Sequence, residues 1–124
     1  MRRTKQTKRY SPTERKVIDM LHDAIAQMPC VVTGSTESTV HHCHGGSLAD
    51  IGITTAMGQK TSDFLVIPLA FDFHVGNQGI DSGIGVRTWE QRYGTQVDHL
   101  KRVCLQLGVN LFELAGFEHV EVRL

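Results

Sequence analysis

The stretch Ser38–Ser47, STVHHCHGGS, decides how this chain is read. Three histidines, His41, His42 and His44, fall within four residues, behind a β-prone "STV" and ahead of Gly45 and Gly46. Neighbouring side chains on a strand point to opposite faces, so an extended "VHH" offers one imidazole to each side. Histidine suits both cation binding and proton transfer, because its unperturbed pKa lies near neutrality. The glycines that follow mark a turn and let the backbone approach another molecule closely. A strand that carries imidazoles on both faces and then turns is a candidate catalytic segment.

Working outward, "SPTE" at Ser11–Glu14 predicts a helix start. Ser11 is the N-cap, Pro12 the first helical residue and Glu14 the third, which makes a capping box. Val17, Ile18, Leu21, Ala24, Ile25 and Met28 recur at helical spacing. Pro29 restricts Met28, so the helix should end near Gln27. "CVVTG" at Cys30–Gly34 reads as a short strand that turns at Gly34–Glu37 and pairs with "STVHHC" as a β-hairpin.

Residues 44–62 hold Gly45, Gly46, Gly52 and Gly58 and read as a long irregular loop, a length that points to function. "FLVIPL" is a buried apolar strand, and a short helix starting around Leu69 to Phe73 should carry His74. Four glycines in residues 76–85 exclude a regular element there. "RTWEQRYG" and "TQVDHLKRVCLQLG" predict two helices, the second ending at Gly108, and "NLFELAGF" a last short one. Trp89 reads as a core anchor. His22, His99 and His119 read as surface residues.

At 124 residues the chain makes one domain, expected as residues 11–124, behind a flexible basic arm at residues 1–10. The net charge of zero hides an asymmetry. Residues 1–16 carry seven Lys or Arg against the single acid Glu14, whereas the remainder carries six basic and twelve acidic residues. A basic arm on an acidic body fits phosphate contact through counterion release, although short basic tails are also common as solvated termini. Cys30, Cys43 and Cys104 are odd in number and widely spaced, so neither a disulfide framework nor a Cys-x-x-Cys site is expected. With no spanning apolar run, the expectation is a soluble protein of a reducing cytoplasm, without membrane partners.

Taken together, "TVHHCHGG", "GQKTSDFLVIPLAFDFH", "GNQGIDSG" and "RTWEQRYG" resemble an HNH (ββα-metal) endonuclease. More narrowly, they resemble the phage and prophage recombination-enhancement (Ref) nucleases, which depend on RecA. The resemblance covers roughly residues 11–117. It implies an α+β fold with a small HNH core, a β-hairpin plus short helix flanked by N- and C-terminal helices. It also implies hydrolysis of DNA phosphodiesters with one divalent ion (Mg2+, Mn2+ or Zn2+). DNA and RecA filaments would be the partners, in the cytoplasm of a bacterial host, with the gene carried by phage or prophage.

Residue by residue, the resemblance makes His41 a metal ligand, His42 the general base and His74 the ligand on the short helix. Asp81 stands where relatives often carry a further histidine, and carboxylate oxygen is a competent ligand for a hard cation. Lys60 and Asp63 match positions beside the phosphate. His44, Arg87 and Arg92 are further candidates for phosphate contact, with helix-face solvation the alternative for the two arginines. Many HNH proteins add a structural zinc held by two Cys-x-x-Cys pairs. Here Cys30 stands alone, with Thr33, Ala70 and Phe73 at the other places, so apolar packing should hold the hairpin instead. The alternative function is a catalytically silent DNA-binding or recombination-accessory protein on the same fold.

Overall fold

The computed structural model describes residues 10–54 and 62–124. The first helix, α1, spans Pro12–Gln27 and starts as its capping residues dictate. The Glu14 amide donates to Ser11 Oγ at 3.1 Å, and the Ser11 amide donates to Glu14 Oε1 at 2.9 Å. Met28, ahead of Pro29, is extended at ψ 151° and closes the helix. Ile18, Leu21 and Ile25 form its buried face.

That face packs on a two-stranded antiparallel sheet of β1, Ser38–His42, and β2, Val66–Ala70. Ser38 pairs with Ala70, Val40 with Pro68 and His42 with Val66. The strand partner differs from the expected one. Residues 30–34 form a tight turn rather than a strand, closed by Gly34 N–H to Cys30 O and Cys30 N–H to Ser35 O, both at 2.8 Å. Val31 sends one N–H to Pro68 O at 3.1 Å, so the segment flanks β2 without extending the ladder. The hairpin therefore closes across a long connection that includes the one-turn helix α2, Ser47–Asp50. Lys60 lies outside the described residues.

From β2 the chain passes directly into α3, Phe71–His74, which carries His74 as expected. α4, Val86–Tyr93, α5, Gln96–Leu107, and α6, Leu111–Leu114, complete an α+β fold. Trp89, Leu100, Val103, Leu111 and Phe112 join Ile18, Ile25, Leu65, Ile67 and Leu69 in one core. Trp89 is fully buried, and its indole N–H donates to Phe73 O at 3.1 Å, tying α4 to α3. Cys30, Cys43 and Cys104 are free and buried. Among the described residues no helix is long and apolar enough to cross a membrane.

Three side chains expected at the surface or in the arm are packed instead. His99 is buried against Trp89 and bonds Tyr93 O at 2.8 Å, because the first turn of α5 abuts the end of α4. His22 is half-buried, because it shares the sheet-facing side of α1 with Ile18 and Ile25. Tyr10, assigned to the flexible arm, meets Phe64 edge-to-face at 6.0 Å, so this residue packs on the domain ahead of the capping box. His119 is exposed as expected, and its Nε2 lies 2.8 Å from Ile51 O.

Candidate metal centre

The alternation of β1 sends His41 and His42 to different surroundings. His41 is completely buried on the face that also carries Thr39, while His42 keeps a side-chain exposure of 40%. Around His41 gather His74 from α3, Asp81 from the glycine-rich turn and His44 from the segment after β1. His41 Nδ1 lies 3.4 Å from Asp81 Oδ2, His74 Nε2 lies 3.2 Å from the same oxygen, and His44 Nε2 lies 2.8 Å from Asp81 Oδ1. The His41 ring is centred 5.0 Å from His74 and 5.6 Å from His44.

Asp81 reaches this position because the turn after α3 folds back onto the helix. Its amide donates to His74 O at 2.9 Å, and the amide of buried Ile80 donates to Phe73 O at 3.1 Å. Gly79 makes the approach possible, since a Cβ there would stand 2.6 Å from the His74 carbonyl oxygen.

The hydrogen-bond partners fix both imidazole tautomers. Gln96, fully buried at the start of α5, donates from Nε2 to His44 O at 2.8 Å and accepts at Oε1 from the His44 amide at 3.0 Å. Its amide orientation is thereby set, so the 3.0 Å contact to His41 Nε2 makes that nitrogen the donor. Thr39 Oγ1 donates to Leu69 O at 2.7 Å, so its 2.8 Å contact to His74 Nδ1 is one in which the ring nitrogen donates. His41 Nδ1 and His74 Nε2 are left with bare lone pairs, each within 3.4 Å of Asp81 Oδ2.

Lone pairs facing a carboxylate repel unless a proton or a cation lies between them. His41 Nδ1 is buried and lacks a hydrogen-bond partner, the 3.4 Å approach to Asp81 being too poorly aligned to be one. Burial holds the His41 pKa below its ordinary value, against the pull of Asp81 and Gln96, which favours the neutral, metal-binding form. Burial tends to raise the Asp81 carboxyl, but hydrogen bonding from His41, His44 and His74, when protons sit on the facing nitrogens, outweighs it and keeps it well below the usual carboxylate range. A cation in place of the His41 and His74 protons would act in the same direction. Hydrogen bonding to Asp81 raises His44. Two imidazoles with fixed outer partners and one ionised carboxylate fit a divalent cation. Donor atoms of His41, His44 and Asp81 also lie within 4.8 Å of one another. His44 is thus a fourth candidate ligand, rather than a loop residue free for phosphate.

A buried polar brace stands behind Gln96. Glu90, only 7% exposed, accepts from Gln96 N at 2.8 Å, from Ser47 N at 2.9 Å and from Ser47 Oγ at 2.5 Å. Neither Gln96 nor Glu90 stands out in the sequence, because a polar residue in a first or last helical turn normally reads as solvated.

On the other face of β1, His42 Nε2 lies 2.9 Å from Asp63 Oδ1. His22 of α1 meets the His42 ring at 5.4 Å and bonds Asp63 O at 2.9 Å. Asp63 is therefore a partner of His42, and Arg15 Nη2 stands 3.9 Å from its outer oxygen. Arg87 is engaged with Asp50 through two 2.7 Å bonds, while Arg92 is exposed on α4.

No curated protein and no solved structure shows significant similarity to the chain. Residues 6–110 match the family described as "Protein of unknown function (DUF968)". That match takes in both histidine clusters and the Gln96 brace, and the chain belongs to this family.

Proposed function

We propose that this protein is a metal-dependent DNA endonuclease of the HNH kind. The observation that carries the reading is the pair of bare imidazole nitrogens, His41 Nδ1 and His74 Nε2, facing the Asp81 carboxylate. His41, His74 and Asp81 would hold the cation, with His44 beside them. A divalent ion held there would neutralise charge on the phosphate and on the leaving 3′ oxygen.

His42 would act as the base. The Asp63 carboxylate can only accept, so His42 Nε2 carries the proton and Nδ1 carries the lone pair that takes a proton from water. Asp63 orients the ring. Because His41 and His42 leave β1 on opposite faces, a substrate engaging both would straddle the end of the strand, where the chain turns through Gly45 and Gly46. Arg92 and the basic residues 2–9 would supply sequence-independent attraction to phosphates. The HNH resemblance implies products with 5′-phosphates, and the narrower likeness to the Ref nucleases makes RecA-coated DNA a substrate to test.

A cleavage assay with Mg2+ or Mn2+ tests this on supercoiled plasmid, single strands and RecA-paired DNA. Wild-type protein should cut at least one substrate, and chelation should stop it. His42→Ala should lose about 10²–10⁴-fold in rate with its fold intact. DNA binding without cleavage by the wild type under every condition would reject the nuclease reading in favour of a silent accessory protein.

A further inference from the structure

His22, His42 and Asp63 form a second convergence of donor atoms, on the face of β1 opposite the His41 centre. One ligand atom from each lies within 4.8 Å of the other two. They come from three separate parts of the fold: α1, the end of β1 and the segment entering β2. Each is half-buried, so the cluster is held by packing yet open to solvent. His22 and His42 both present Nε2 to Asp63, one at its carbonyl and one at its carboxylate, each at 2.9 Å.

We propose that His22, His42 and Asp63 form a second, inhibitory site for an imidazole-preferring divalent ion such as Zn2+. Two imidazoles and a carboxylate are a donor set that zinc accepts, leaving a position for water. Donors around a tetrahedral zinc stand about 3.3 Å apart for bond lengths near 2.0 Å, so a contraction of about 1.5 Å or less would close the set. To bind the ion through Nε2, the His42 and His22 rings each change tautomer, their protons passing through solvent from Nε2 to Nδ1, and His42 separates from its hydrogen bond to Asp63. Arg15, 3.9 Å from Asp63 Oδ2, opposes the ion, but it is half-exposed and is also shared with Asp19 at 4.0 Å and the Tyr10 ring at 5.3 Å. His42 cannot hold this ion and remain the oriented base, so occupancy and cleavage exclude each other. That consequence rests on the nuclease reading, whereas the site itself does not.

His22→Gln isolates the site. Glutamine can still donate to the Asp63 carbonyl but is a poor zinc ligand, and His22 has no part in the proposed chemistry. Zinc titrated calorimetrically into the full chain should bind at two sites per wild-type chain and at one per His22→Gln chain. Asp81→Asn should retain the site that His22→Gln loses. In the cleavage assay with Mg2+ or Mn2+, micromolar zinc beyond the first equivalent should repress the wild type at least tenfold and leave His22→Gln active. One site in the wild type, or two in a folded His22→Gln protein, would overturn the proposal. If no metal supports cleavage, the nuclease reading falls while the stoichiometry still decides the site.

Discussion

Gln96 Oε1 stands 3.0 Å from His41 Nε2, and with that one contact it fixes which nitrogen of the buried imidazole is bare. The same amide grips both backbone groups of His44, so one side chain from α5 sets the orientation of two histidines of the STVHHCHGGS stretch. Gln96→Ala should weaken divalent-ion binding about 10–100-fold, the usual cost of losing an outer partner of a ligating histidine. It should also lower stability by about 1–3 kcal/mol, because the His41 N–H is left buried without an acceptor. Calorimetry on the folded variant separates the two effects. Unchanged affinity would show that Gln96 serves packing alone.

Asp81→Asn makes a sharper separation. Without a cation, the carboxylate faces two bare ring nitrogens at 3.4 and 3.2 Å, and an amide N–H in its place could donate to them. At pH 8 the metal-free variant should melt no lower than metal-free wild type. Wild type should gain about 2.7 kcal/mol at an ion concentration one hundred times Kd, and the variant far less. Thermal melts with and without chelator read both quantities. A metal-induced shift preserved in Asp81→Asn would remove Asp81 from the ligand set.

Much of this was legible in the sequence where local chemistry speaks. The Ser11–Glu14 capping box and Pro29 bound α1 at the expected residues, and the spacing from the VHH stretch to the short helix brings His74 against His41. The partner of β1 was not legible. Two apolar segments, "CVVTG" and "FLVIPL", compete for it, and only tertiary contacts select the second. His22 and His99 read as solvated because a histidine in a helix carries no sign of which face it occupies. Gln96 and Glu90 were hidden for the same reason: their burial depends on α4 and α5 meeting the segment after His44, a contact between parts of the chain far apart in sequence.

Gly46→Ala tests the brace without touching a ligand. Gly46 has φ +50°, and an added Cβ would lie 2.3 Å from Glu90 Oε1. The methyl would strain the backbone and push Glu90 from Ser47 and Gln96, at a cost of about 2–4 kcal/mol. Chemical denaturation measures this, and a loss below about 0.5 kcal/mol would mean that the brace relaxes freely.

Asp63→Ala addresses the opposite face. Without the carboxylate, the His42 ring loses its orientation but keeps the nitrogen that would take the proton. Cleavage should fall by less than the roughly 10²–10⁴-fold loss expected for His42→Ala, and in His42→Ala the second change should add little. Rates for the two single variants and the double variant measure this coupling. Fully multiplicative losses would mean that Asp63 acts independently of His42.

His41, His74 and Asp81 are proposed to hold a divalent cation, and the position of a bound ion tests this. Anomalous diffraction from a crystal grown with one equivalent of Zn2+, recorded above the zinc edge, locates the ion directly. A peak is expected about 2.0–2.2 Å from His41 Nδ1, His74 Nε2 and an Asp81 oxygen. A fully occupied zinc peak elsewhere, with His41 Nδ1 uncoordinated, would contradict it.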